Sequence, residues 1–165
     1  MTLNDTFPIM LGGALTLVGA VATQWFSRHF ESRKARRAVA AAFAGEIGAI
    51  CAIVRRLEFL ENARLFQQAI RQGEVLRISI STTQDYLTIF KANASAIGAL
   101  PPLLALDTVR FYTQIKSMLE DVRPDAPTPT DIEQADQTVT HLISLMVDTL
   151  QLGDGLVVRL REAAK

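Results

Sequence analysis

The sequence predicts an all-α protein: an N-terminal transmembrane helix that continues into a cytoplasmic antiparallel bundle of about four helices. Three observations lead there. Phe7 to Phe26, FPIMLGGALTLVGAVATQWF, is a run of twenty residues with no ionisable side chain. The cations Arg28, Arg33, Lys34, Arg36 and Arg37 follow it at once. Beyond them, apolar residues recur at three- and four-residue steps, the period of a helix with one buried face.

A helix of that run's length, at about 1.5 Å per residue, reaches about 30 Å, the thickness of a bilayer's hydrocarbon core. Trp25 and Phe26 fall where an aromatic belt meets the headgroups. Ala20-Val21-Ala22 has the small-x-small form of a signal-peptide cleavage site. A signal peptide, however, carries its positive charge before a shorter apolar core. Here Asp5 precedes the run and the cations follow it, so the segment reads as an uncleaved anchor. The excess of Lys and Arg on the C-terminal side holds that side in the cytoplasm. The domains expected are a short outer tail (1–6), a transmembrane helix (7–27), a basic juxtamembrane segment (28–37) and a cytoplasmic helical domain (38–165).

Next in order, Val39, Phe43, Ile47, Ile50, Val54 and Leu57 form one stripe, on a helix expected to extend to about Arg71. Gly45 and Gly48 interrupt it, as a bend or a close helix contact, and Gly73 ends it. Val75 to Ser81, VLRISIS, alternates like a strand but has no partner strand, and reads as an extended linker. Ser81 with Gln84 makes a capping box for a helix through about Ile97, closed by Gly98. Pro101 and Pro102 suit the first turn of the next helix, which runs to about Asp121. The prolines of Arg123 to Thr130, RPDAPTPT, make a loop. Thr130 with Glu133 makes a second capping box, and Ile132, Ala135, Val139, Leu142 and Met146 line the last helix, with a kink expected at Gly153-Asp154-Gly155.

The stretch FKANASAIGAL (Phe90 to Leu100), Pro101 and the pair Phe111-Tyr112 resemble a loose set of uncharacterised bacterial single-pass inner-membrane proteins. In that set an Arg-rich membrane exit leads to a helix similar to AAAFAGEIGAICAI, Ala40 to Ile53. The resemblance implies the same architecture and a bacterial inner membrane, and brings no catalytic residue or ligand with it.

Composition narrows the chemistry. Lys and Arg together number 17, as do Asp and Glu, so no overall charge calls for nucleic acid. The single cysteine, Cys51, excludes an intrachain disulfide and reads as a small inert core residue. His29 and His141 lie on separate elements without metal-ligand spacing, and His141 is expected to face solvent. Glu46, Glu58 and Glu61 have no E-x-x-H partner and read as solvated carboxylates. Asn93 is expected to bond local backbone near Gly98 to Leu100. No phosphate-binding loop occurs, and no cofactor is implied.

Two features point to partners. Gly12, Thr16 and Ala20 recur every four residues, a small-xxx-small face on which two spans can approach closely. Arg28, Arg33, Lys34, Arg36 and Arg37 set topology and suit anionic lipid. The sequence therefore leads to a non-enzymatic, single-pass interaction or assembly module, in contact with the bilayer and with a protein partner or a second copy. Its alternatives are an accessory subunit of a larger membrane complex and an enzyme whose site no motif reveals.

Overall fold

In a computed structural model the described residues are 33–74, 86–127 and 129–165. They are helical, with no strand among them. The elements are α1 (Arg33–Arg56), α2 (Phe59–Arg71), α3 (Thr88–Asn93), a 3₁₀ turn (Ala94–Ala99), α4 (Pro102–Asp121) and α5 (Ile132–Ala163). The expected anchor, the strand-like Val75 to Ser81 and the Ser81–Gln84 box lie outside the described residues.

Among the described residues, α1, α4 and α5 are the three long rods. α1 and α4 run in the same direction, and α5 runs against both. Gly48 of α1 faces Val157, Cys51 faces Gly153, and Arg55 reaches Asp154 of α5. Along α4, Asp107 pairs with Arg159 and Gln114 meets Thr149. Phe43, Ile47, Phe111, Tyr112, Leu156 and Leu160 are fully buried where the rods meet. Burying such a side chain contributes about 1.5–3 kcal/mol.

The stripe on α1 buries Val39, Phe43, Ile47 and Ile50 as its spacing predicts, but Leu57 is 51% exposed. The chain breaks there. Glu58 sits at φ 52°, ψ 36°, a left-handed conformation that costs a non-glycine residue about 1–2 kcal/mol. The bend expected at Gly45 and Gly48 is therefore at Leu57-Glu58 instead. Gly48 serves the close contact, with Val157 Cγ2 at 3.7 Å from where its Cβ would stand. The Asn62 side chain donates to the Leu57 carbonyl at 3.2 Å, satisfying an acceptor that the break frees.

α2 then covers the N-terminal overhang of α5, which at 32 residues is longer than the 20-residue α4. Ile70, Ala135 and Val139 make a second small core there, flanked by Phe66 and Ile143. Gln67 donates to Thr140 at 2.6 Å, and Arg71 holds Asp136 through two nitrogens at 2.8 and 3.3 Å. Gly73, at φ 100°, ends α2 as expected. Its N–H bonds Ile70 O and that of Glu74 bonds Ala69 O, the paired closure that needs a left-handed residue at this position.

Three boundary expectations are corrected. Gly98 does not cap a helix. It lies inside the 3₁₀ turn, and Leu100 ends that turn at φ −74°, ψ 157° because the following proline disfavours helical backbone. The same restriction extends Pro101, so Pro102 becomes the first residue of α4. The cap of α5 is Asp131 rather than Thr130: its carboxylate accepts from Gln134 N at 2.8 Å, while Gln134 Oε1 accepts from Thr130 N. Finally, α5 runs unbroken through Gly153-Asp154-Gly155.

Gly153 is there for room. A Cβ on it would stand 2.5 Å from Cys51 Sγ and 2.8 Å from Phe111 Cε2, so the glycine lets α5 approach α1 and α4 together.

By length and composition, two of these helices are apolar enough to cross a membrane: Arg33–Arg56 at mean hydropathy 1.7 and Ile132–Ala163 at 1.2. Both also bury a face in the bundle, which calls for the same composition.

Candidate functional site

Two places in the bundle bring together residues from three or more elements. The first is a half-open apolar pocket of about 320 Å³ at the end of the three rods where α1 breaks. Ile50, Val54 and Leu57 line it from α1 and its break, Ile115 and Met118 from α4, and Met146 from α5. Tyr86, half-buried just before α3, supplies the one hydroxyl of the lining. Ile50, Val54, Ile115, Met118 and Met146 also bound a second, smaller void of about 10 Å³ beside Cys51 and Thr149. Met118 and Met146 give these walls a compliance that branched side chains lack.

The second is a buried polar hub on Glu46. Its position on α1 lies within the apolar stripe, between Phe43 and Ile50, and only 7% of its surface is exposed. The carboxylate accepts three hydrogen bonds. Ile89 N donates to Oε1 at 2.6 Å, Phe90 N to Oε2 at 2.9 Å, and Tyr112 Oη to Oε2 at 2.6 Å.

The two amides are the second and third of α3. Leu87, the residue preceding α3, cannot cap it, and no side chain caps the helix locally. Glu46 does so from a different element, placing negative charge on the positive end of the helix dipole. Around the hub, Phe90 stacks on Tyr112 with centroids 4.1 Å apart, and Phe43 tilts against both at 6.4 and 6.0 Å. Burial, the hydrogen bond to Glu46 and that carboxylate's charge push the Tyr112 hydroxyl far above its ordinary range. Tyr112 therefore stays a donor at neutral pH. With three donors on one shielded carboxylate, the hub ties α3 to α1 and α4.

Glu46 corrects the expectation of a solvated carboxylate. Its signal was in the sequence, since it is the lone charge between Ala38 and Val54 and lies on the stripe's own face. The donors, 43, 44 and 66 positions away, were not legible.

The remaining site residues fall in three groups. Gly12, Thr16, Ala20 and Arg28 lie outside the described residues. Arg33, Lys34, Arg36 and Arg37 share the first turns of α1, all exposed. Asn93 is half-buried and donates to Ile89 O at 2.9 Å, one turn back in its own helix rather than near Gly98. His141 is exposed, as its position predicts.

Cys51 is buried, and that burial, with the nearby Asp154 carboxylate, raises its thiol above the usual value. The reactive form of a cysteine is the thiolate, so this environment makes the side chain inert. Comparison of the chain with known protein families, curated proteins and solved structures finds no match.

Proposed function

We propose that this chain is a single-pass membrane-anchored helical module, without catalytic chemistry of its own, that presents its bundle to the cytoplasm for interaction or assembly. One observation carries the reading: a bilayer-length uncharged run stands a few residues ahead, in sequence, of a helix whose first described turns expose Arg33, Lys34, Arg36 and Arg37. Cations at that place favour a cytoplasmic C-terminal side and attract anionic headgroups, by about 1 kcal/mol each near the surface. The bacterial inner membrane is the setting that the sequence resemblance suggests. The interior of the bundle supports a non-enzymatic role, because the Glu46 carboxylate is engaged in holding α3. A reporter fused after Lys165 tests the reading: cytoplasmic activity is expected, and a periplasmic signal would overturn it.

A second reading is an accessory subunit of a larger membrane complex. It is favoured by the exposed leucines of α4, Leu103 at 74% and Leu106 at 64%, beside Val109. An orphaned subunit is degraded when expressed alone, whereas an independent module accumulates.

A further inference from the structure

We propose that the outer face of α4's first turns, which carries Leu103, Leu106 and Arg110, docks on an anionic bilayer surface. All three residues are exposed. Their steps of three and four set them on one stripe of the helix. Leu104, Thr108 and Phe111, on the opposite side, are the residues that α4 buries in the bundle. This end of α4 therefore has two apolar faces, and the bundle covers one of them.

Position in the fold selects the occupant. α1 and α4 begin at the same end of the bundle, and α5 ends there. Gly48 is level with Val157 and Asp107 with Arg159, which puts Leu103 level with about Ala42. At roughly 1.5 Å per residue, that is about 14 Å along the axis from Arg33. Phe26, the last residue of the uncharged run, stands seven positions ahead of Arg33, a reach of at most about 25 Å. On the anchored reading proposed above, on which this inference rests, the end carrying Leu103 is thus the end tethered to the bilayer.

Charge points to the same occupant. The four cations in the first turns of α1, Arg110 of α4, and Arg161 and Lys165 of α5 are exposed at this end. Among the described residues, the acids there are Glu162, Asp107, which is held by Arg159, and Glu46, which is buried. Leucines ringed by cations suit a headgroup layer: the apolar side chains enter it, and the charged ends stay with the phosphates. A second copy does not suit the face, because it would bring the same cations to the contact.

The test is photolabelling of the full chain in nanodiscs doped with a phospholipid that carries a diazirine near the glycerol end of one acyl chain. The discs are phosphatidylglycerol with phosphatidylcholine, or phosphatidylcholine alone. Trypsin separates residues 1–28, which report the anchor, from residues 92–110, which report the docked face. In the anionic discs adducts are expected on both peptides, with at least fivefold fewer on 92–110 in phosphatidylcholine alone. Leu103→Gln combined with Leu106→Gln leaves the core untouched. It should lower the 92–110 adducts at least fivefold while 1–28 stays labelled. Labelling of 1–28 without 92–110 overturns the docking and leaves the anchor standing, the face then belonging to a protein neighbour. Absence of label on 1–28 overturns the anchored reading itself. Equal labelling of 92–110 in the two kinds of disc overturns the anionic surface, and unchanged labelling in the double variant overturns the face.

Discussion

The carboxylate of Glu46 and the hydroxyl of Tyr112, 66 positions apart, meet at 2.6 Å inside the bundle, and the same carboxylate starts α3. One acidic side chain thus joins α1, α3 and α4. Removing it orphans three donors together, and unsatisfied buried groups cost about 1–3 kcal/mol each. Glu46→Ala should lower stability by more than Tyr112→Phe, which removes one donor and costs about 1–2 kcal/mol. Urea unfolding of the two variants and their double mutant measures the coupling. Strict additivity would show that the hub is not a unit.

Glycine at position 153 should be intolerant of even one carbon. Gly153→Ala places a methyl against Cys51 Sγ and Phe111, and overpacking of this kind costs about 1–3 kcal/mol. Cys51→Ala vacates the closer of the two obstacles. The double variant should therefore be more stable than Gly153→Ala alone in thermal unfolding, and an equal midpoint would place the clash elsewhere.

Relief of backbone strain should be visible at Glu58. Its side chain is exposed and its left-handed backbone is costly for any residue with a Cβ. Glu58→Gly should stabilise the fold by about 0.5–1 kcal/mol, part of the relief being offset by the greater freedom of an unfolded glycine. A destabilised variant in the same unfolding assay would mean that the carboxylate has a contact of its own.

Cys51 should report opening of the bundle. Because burial raises its thiol, the native chain should react with a maleimide at pH 8 at least tenfold more slowly than the chain in urea. The linkage has a definite sign. A folded-state pKa above the unfolded value contributes stability in full below the unfolded pKa, and that contribution is lost as pH rises through the folded one. The Cys51 contribution should therefore disappear at alkaline pH and be absent from Cys51→Ala. Equal alkaline slopes for the two chains would count against it.

Much of this fold could be read from local pattern. The apolar steps from Val39 to Ile50 and from Ala135 to Leu142 put the right faces inward, and Gly73 closed its helix where expected. The errors share a cause. Gly153 looked like a kink because a sequence shows the missing side chain but not the Cys51 and Phe111 atoms that need its place. Glu46 looked like surface because its donors lie on segments far along the chain. The break at Leu57-Glu58 has neither glycine nor proline to mark it. The apolar pocket also escaped a reading by periodicity, since its lining residues count as ordinary core positions on each helix taken alone.

The parallel course of α1 and α4 has a consequence for the order of events during synthesis. The face of α1 that carries Gly48 and Cys51 is covered by Val157 and Gly153 of α5, whose last buried residue is Leu160. More than a hundred residues of translation separate them, which at about 5–20 residues per second is several seconds or longer. A chain truncated after Thr130 should accordingly bind a hydrophobic dye that the full chain excludes, and no added fluorescence would mean that α1 hides its stripe without α5. Throughout that interval the nascent helix carries an uncovered apolar edge, an invitation to chaperones that ends only when α5 leaves the ribosome.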